Sequence, residues 1–281
     1  MRFGIDLPMD LENKLFTVND LITVVKESIN VATEKRGRRF GRSLWNRATI
    51  KTDAIMDGLK QTPIRVTLRH CFEFLTGLIL STHLRVRYDG VENLPEHKPF
   101  ILAANHCSHL DLPSIRKSIG KFADNLHAMA ARDYFFNNSI KSWFFKTFLN
   151  AIPMDREANA AENLAVCKTV LDVGKSILIF PEGTRSITGE LQQFKPGIGV
   201  LAIELDIPII PVYLSGTYAA LPKGRIIPRG GRIDVRFGKP IDYSDLKQQI
   251  GKTPMIELYR SAVARLRKHI ERLSELPPIG R

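Results

Sequence analysis

Phe100-Ile-Leu-Ala-Ala-Asn-His-Cys-Ser-His-Leu-Asp-Leu-Pro113 starts as a buried strand and finishes as a reactive turn. Phe100 to Ala104 is a continuous apolar run, the pattern of a strand covered on both faces. The composition then changes abruptly to Asn105, His106, Ser108, His109 and Asp111, and Pro113 is pre-set for the first turn of a helix. Open α/β sheets place their chemistry just past the carboxyl ends of such strands. His106 and Asp111 are five residues apart, too far round a regular helix to face each other. In a turn that leads into a helix, the carboxylate can fold back onto one imidazole nitrogen. That bond fixes the tautomer and frees the other nitrogen to take a proton. Cys107 and Ser108 lie between the pair with little room to be aligned by it, so the simpler reading is that the substrate brings an alcohol and His106 deprotonates it. The competing reading makes Asp111 a helix N-cap and His106 a loop residue. His109 reads as a packed turn residue rather than a second base.

A second strand, Ser176-Ile-Leu-Ile-Phe180, runs into Pro181-Glu-Gly-Thr-Arg-Ser186. Gly183 permits close backbone approach, Thr184 and Ser186 carry hydroxyls, and Arg185 presents a planar fork suited to phosphate. Lys195 adds a cation, and Arg156, after the apolar stretch at 150–154, could join the cradle. Such a turn makes a plausible phosphate pocket, although the Gly-x4-Gly-Lys-Ser/Thr loop is missing. Glu182 is unexpected beside a phosphate; it reads either as a partner of Arg185 or as an acceptor for a substrate hydroxyl. For any single arginine, a surface salt bridge is the plain alternative.

Around these turns the chain alternates strands and helices. Strands are expected at 85–88, 126–131, 150–156, 207–214 and, with period-two alternation, 232–237. Helices are expected at 158–173 and 256–273, and 140–149 reads as a helix or an apolar surface segment. This order predicts an α/β domain over 84–281 with a mostly parallel central sheet flanked by helices. Upstream lie a helical segment at 1–30, a basic linker at 31–63 and a largely apolar helix at 64–83. The uninterrupted apolar part of that helix is too short to span a bilayer, so it reads as interfacial or as packed on the protein's own core.

The 281 residues carry a formal charge of +12, which favours polyanionic partners. Anionic phospholipid is the preferred one, because charge is the sole nucleic-acid signal present. The three cysteines, Cys71, Cys107 and Cys167, suggest neither a metal site nor a disulfide framework, and a reducing cytoplasm fits them. The N-terminus lacks the apolar stretch of a signal peptide.

Taken together, these residues resemble the glycerolipid acyltransferases, the family of 1-acylglycerol-3-phosphate acyltransferase. His106-Cys-Ser-His-Leu-Asp111 is similar to the family's His-x4-Asp block. Ile152-Pro-Met-Asp-Arg156 resembles the second block, Phe180-Pro-Glu-Gly-Thr-Arg-Ser186 the third and Ile207-Pro-Ile-Ile-Pro-Val212 the fourth. The four stand in family order across roughly 84–245. The second block departs from the usual glycine and aromatic residue at Asn150 and Pro153. The resemblance implies acyl transfer from acyl-CoA or acyl carrier protein to a lysophospholipid hydroxyl at the cytoplasmic face of the membrane. His106 would be the base and Asp111 its orienter; Arg156, Glu182, Gly183 and Arg185 would hold the acceptor's glycerol phosphate, and the residue reading adds Thr184 and Lys195 as substrate-binding candidates. It implies no metal or cofactor, the thioester being a co-substrate. Acylation of another lysolipid, a non-catalytic membrane- or carrier-binding role, and lipid hydrolysis are the alternatives. The stretch Phe3-Gly-Ile-Asp-Leu-Pro and Phe16 to Val25 resembles the last third of an acyl carrier protein without its Asp-Ser-Leu site; an ordinary amphipathic helix is the other reading.

Overall fold

The computed structural model describes residues 62–155 and 160–280, together with Ile55 and Leu59. The readings placed on 1–30, on most of the basic stretch and on Arg156 fall outside the described residues. The strands are β1 (Val86–Asp89), β2 (Ile101–Ala104), β3 (Leu126–Ala131), β4 (Ala151–Met154), β5 (Ser176–Ile179), β6 (Ile209–Ser215) and β7 (Ile233–Phe237). Described helices of eight residues or more are α1 (Pro63–Thr82), α2 (Asp111–Ile119), α3 (Ser139–Leu149), α4 (Ala160–Asp172), α5 (Gly197–Glu204) and α6 (Met255–Ser274). One seven-stranded sheet has the order β1-β7-β6-β2-β5-β3-β4. Every pairing is parallel except β6 with β7.

The central strands are buried on both faces, as an apolar run requires. Ile101, Ala103, Ile177 and Ile179 join one apolar layer with α4, α5 and α6. Their neighbours Leu102, Ala104 and Leu178 join the opposite layer, with Ile115 and Ile119 of α2. Because β2, β5 and β6 run the same way, their carboxyl ends share one edge. The turns that follow β2 and β5 therefore meet there. β7 returns antiparallel to β6 and β1 runs parallel with β7, so both begin at that edge.

The strand expected at 232–237 forms as β7, and its charged face, Asp234 and Arg236, is buried along with its apolar one. The C-terminal segment covers that face: Arg236 donates to the Leu273 carbonyl at 3.2 Å, and the Ile279 N–H donates to Asp234 at 3.2 Å. A period of two thus reports chemistry by face, and here both faces are covered. Helix α5, over Gly197–Glu204, is absent from the sequence reading, because its short and almost wholly apolar run carries no helical periodicity.

α1 forms over the expected stretch, capped by Thr62, whose hydroxyl accepts from the Arg65 N–H at 3.3 Å. Its polarity is turned outward. Its buried residues are Arg69 and Leu80, while Ile64, Leu68, Phe74, Leu75, Leu78 and Ile79 are exposed. Arg69 faces inward because it has partners there: it donates to the Asn150 side chain at 2.8 Å and pairs with Asp124 at 3.2 Å. Asn150 ends α3 in the left-handed region at φ 48°, a conformation asparagine tolerates where most residues do not. Its amide then ties α1 to the sheet, accepting from Arg69 and donating to the Leu126 carbonyl. No described helix is long and apolar enough to cross a membrane.

Candidate active site

The turn after β2 is held by three carboxylate and amide side chains. Asn105 continues the sheet with its side chain: its amide donates to the Leu214 carbonyl at 3.0 Å, and the Leu214 N–H donates back at 2.7 Å. This locks the end of β2 to β6 just before His106. Asp111 is the first residue of α2, and Leu110 stands at the cap position. The N-cap reading of Asp111 is therefore set aside. One carboxylate oxygen, Oδ2, instead turns back on the loop that precedes it. It accepts from His106 Nδ1 at 2.8 Å, from the Cys107 N–H at 2.8 Å and from the Ser108 N–H at 2.9 Å. A fully buried carboxylate is costly unless hydrogen-bonded, and these donors answer that cost. The second oxygen, Oδ1, is buried without a partner. Because a carboxylate only accepts, the proton sits on Nδ1 and Nε2 is left with its lone pair.

The rest of the histidine is fixed as tightly. Its ring stacks on Phe180, with centroids 4.0 Å apart and planes 17° apart. Its backbone N–H donates to Glu182 Oε1 at 2.8 Å, and its carbonyl accepts from the Ser186 N–H at 2.7 Å. The two turns thus form one body, and the imidazole is 20% exposed at its surface.

Glu182 differs from both expectations. Its carboxylate is buried and accepts from two backbone N–H groups, those of His106 and, at 3.2 Å, Gln192. It braces the histidine rather than pairing with Arg185. Burial pushes its carboxyl pKa up, and the two N–H donors pull against that rise.

Cys107 and Ser108 are disqualified as nucleophiles by their surroundings. Burial first, then the Asp111 and Glu182 carboxylates, push the Cys107 thiol up to about 12. Ser108 donates its hydroxyl to the Leu221 carbonyl at 2.7 Å.

The remaining predicted residues form a cationic rim. Thr184 is exposed and Arg185 half-buried. Among the described residues no carboxylate pairs with Arg185 or Lys195. Arg185 is close enough to His109 to depress its pKa, second to the effect of desolvation. Gly183 has φ +72°, and a Cβ there would stand 2.5 Å from Lys195 Cε and 2.8 Å from its Nζ. The positive φ favours glycine, and a side chain there would have to displace the lysine's flexible end. The structure therefore gathers His106, Asp111, Glu182, Gly183, Thr184, Arg185 and Lys195 at one edge.

Phe180, Gln192 and the amide of Asn105 carry parts of the site that sequence reading left without a role, and Ser186, read as a hydroxyl for phosphate, is buried and serves through its backbone N–H instead. Asn105 had a signal, a lone amide at the end of a wholly apolar strand. The other three act through the backbone or a ring face, which spacing does not reveal.

Comparison with known proteins gives the following. The acyltransferase family profile matches residues 85–215. A 1-acyl-sn-glycerol-3-phosphate acyltransferase from Bacillus subtilis is 26% identical over 199 residues, 71% of this chain and 95% of that protein. The yeast Saccharomyces cerevisiae protein of the same name is 34% identical over 189 residues, 65% of this chain and 59% of its own length. The chloroplastic Arabidopsis thaliana protein LPAT1 is 30% identical over 161 residues, and the match spans 44% of its length. The crystal structure of PlsC, a 1-acyl-sn-glycerophosphate acyltransferase from Thermotoga maritima, shares the fold. It has a TM-score of 0.56 at 22% identity and covers 92% of this chain.

Proposed function

For a chain that is similar to the acyltransferase family over residues 85–215, we propose transfer of a fatty acyl group from acyl-CoA or acyl carrier protein to the free hydroxyl of 1-acylglycerol-3-phosphate. The observation that carries the reading is the open Nε2 of a histidine whose Nδ1 is held by buried Asp111 at 2.8 Å, beside a rim of cations without a carboxylate partner among the described residues.

The acceptor hydroxyl gives its proton to His106 Nε2 as its oxygen attacks the thioester carbonyl. Asp111 steadies the imidazolium that results. The tetrahedral oxyanion collapses, the carbon–sulfur bond breaks, and the departing thiolate takes the proton from the imidazolium. General base catalysis of this kind contributes roughly 10²–10⁴-fold. Arg185, Lys195 and Thr184 receive the acceptor's phosphate, with Arg156 a further candidate from the second block. Glu182 contributes by fixing His106. The reaction so read needs no metal or resident cofactor, since the thioester is a co-substrate.

The setting proposed is the cytoplasmic face of a membrane, with the chain peripheral or monotopic. The outward apolar residues of α1, the exposed Ile140, Trp143 and Phe144 of α3, and the +12 charge support this.

The test is acyl transfer by the purified full chain on anionic vesicles with lysophosphatidic acid and palmitoyl-CoA, repeated with carrier-protein thioester. Product that disappears in His106→Ala, with the fold retained by circular dichroism, is expected. Near-full turnover in that variant would sink the reading. Competing lysolipids in one vessel decide whether the cations select the phosphate monoester over lysophosphatidylethanolamine.

A further inference from the structure

The loop that joins β6 to β7 carries Leu221-Pro-Lys-Gly-Arg-Ile-Ile-Pro-Arg-Gly-Gly231. Ile226 is 92% exposed and Ile227 81% exposed. An adjacent pair of β-branched aliphatic side chains held almost wholly in water is unfavourable unless something covers it. Lys223, Arg225 and Arg229 flank the pair, all exposed, and among the described residues no carboxylate pairs with them. The loop is not a loose tip. The Arg229 N–H donates to the Ala220 carbonyl at 2.7 Å and closes its base.

Its position gives it meaning. β6 runs parallel to β2, so the loop leaves the sheet at the edge that holds His106. Leu221, at one root, receives the Ser108 hydroxyl of the catalytic turn at 2.7 Å. At the other root the Gly231 N–H donates to the His83 carbonyl, at the end of α1, at 3.2 Å. Tyr218, just before the loop, donates to the Ile187 carbonyl at 2.8 Å, and Ile187 is itself 69% exposed. Exposed aliphatic groups and basic side chains thus stand together on the sheet edge that carries the chemistry, joined to the helix whose apolar residues face outward.

We infer that Ile226 and Ile227 enter an anionic lipid bilayer while Lys223, Arg225 and Arg229 engage its headgroups, so that the loop seats the catalytic edge on the membrane surface. The inference rests on the lipid-acceptor reading above. Aliphatic wedge plus basic flank is the chemistry of interfacial insertion. The pair projects at a loop tip, which suits penetration into acyl chains better than the cupped apolar pocket of a protein interface.

The experiment is flotation of the full chain with vesicles of phosphatidylglycerol and phosphatidylethanolamine, comparing wild type with the double variant Ile226→Ser, Ile227→Ser. Partitioning at least tenfold weaker is expected, with transfer to a water-soluble short-chain lysophosphatidate unchanged. Ile226→Trp, which keeps an apolar tip, should be quenched by brominated lipid above the background of the native tryptophans. Vesicle binding is read without turnover, so loss of binding stands even if the chain transfers no acyl group. Unaltered flotation of the double variant, or an unquenched tryptophan, overturns the inference. So does intact flotation with impaired use of a carrier-protein thioester, which would give the loop to the acidic carrier instead.

Discussion

The turn at His106 and the rim at Arg185 and Lys195 share one sheet edge, yet their polar atoms are engaged differently. In the turn, Asn105, Ser108, Asp111 and Glu182 all bond within the protein. Those contacts are present before any substrate arrives, so the base costs no reorganisation during reaction. On the rim, the guanidinium and ammonium groups have no carboxylate partner among the described residues. Their partner is left to be supplied, and the proposed anionic acceptor would supply it. A preorganised base beside unanswered cations teaches that orientation and recognition are separately built. Variants in the first should therefore act on turnover, and variants in the second on binding.

The largest effect should come from Asp111→Asn. It removes the charge that stabilises the imidazolium and should lower kcat by roughly 10²–10⁴-fold with little change in KM. A rise in KM alone would erase the proposed division between the two regions. Next is Arg185→Ala, which should cost about tenfold to a hundredfold in kcat/KM for a phosphate-bearing acceptor, carried mainly by KM, as loss of a charge-assisted bond would give. The same loss for an acceptor without phosphate would show that Arg185 serves the fold and not recognition.

Glu182→Gln sharpens the boundary, since Glu182 belongs to the turn although it lies in the third block's sequence. With one of its two acceptor oxygens replaced by an NH2, one backbone N–H loses its partner, and kcat should fall roughly tenfold while KM holds. Its pH signature is separate. Burial raises the Glu182 pKa above its ordinary value of 4.5. Just above that pH the folded protein keeps a proton that the unfolded chain has released, so this residue's contribution to stability falls as pH rises. The variant should lose that slope in denaturant unfolding measured at closely spaced pH values. A slope equal to that of wild type would mean that Glu182 is not protonated there.

The smallest effect is expected for Cys107→Ala. With its thiol pushed up to about 12, Cys107 is neither thiolate nor nucleophile at neutral pH. Transfer should stay within about threefold of wild type, the scale of a small buried truncation of under ~1 kcal/mol. Loss of all transfer would reopen a covalent route.

The sheet was legible because burial on both faces writes itself as short apolar runs, such as Ile101 to Ala104 and Ser176 to Ile179. The chemistry was legible for a related reason: polar residues that follow such runs stand at the carboxyl edge, where His106, Asp111 and Arg185 lie. The burial of Asp234 and Arg236 in β7 was not legible, because the segment that covers them lies some forty residues away. No local pattern reports that cover.

By itself, then, the sequence determined the alternating α/β architecture, the placing of a base and its carboxylate in one turn, and an apolar helix ahead of the sheet. Each depends on residue type and near spacing, quantities written along the chain. Only the tertiary structure decided that Glu182 braces His106, that Phe180 stacks on its ring, that α1 turns its apolar residues outward around a buried Arg69, and that Ile226 and Ile227 stand on the catalytic edge. These facts are contacts between residues far apart in sequence. They are fixed by strand order and direction, which bring loops together without leaving a mark on the spacing within any one of them.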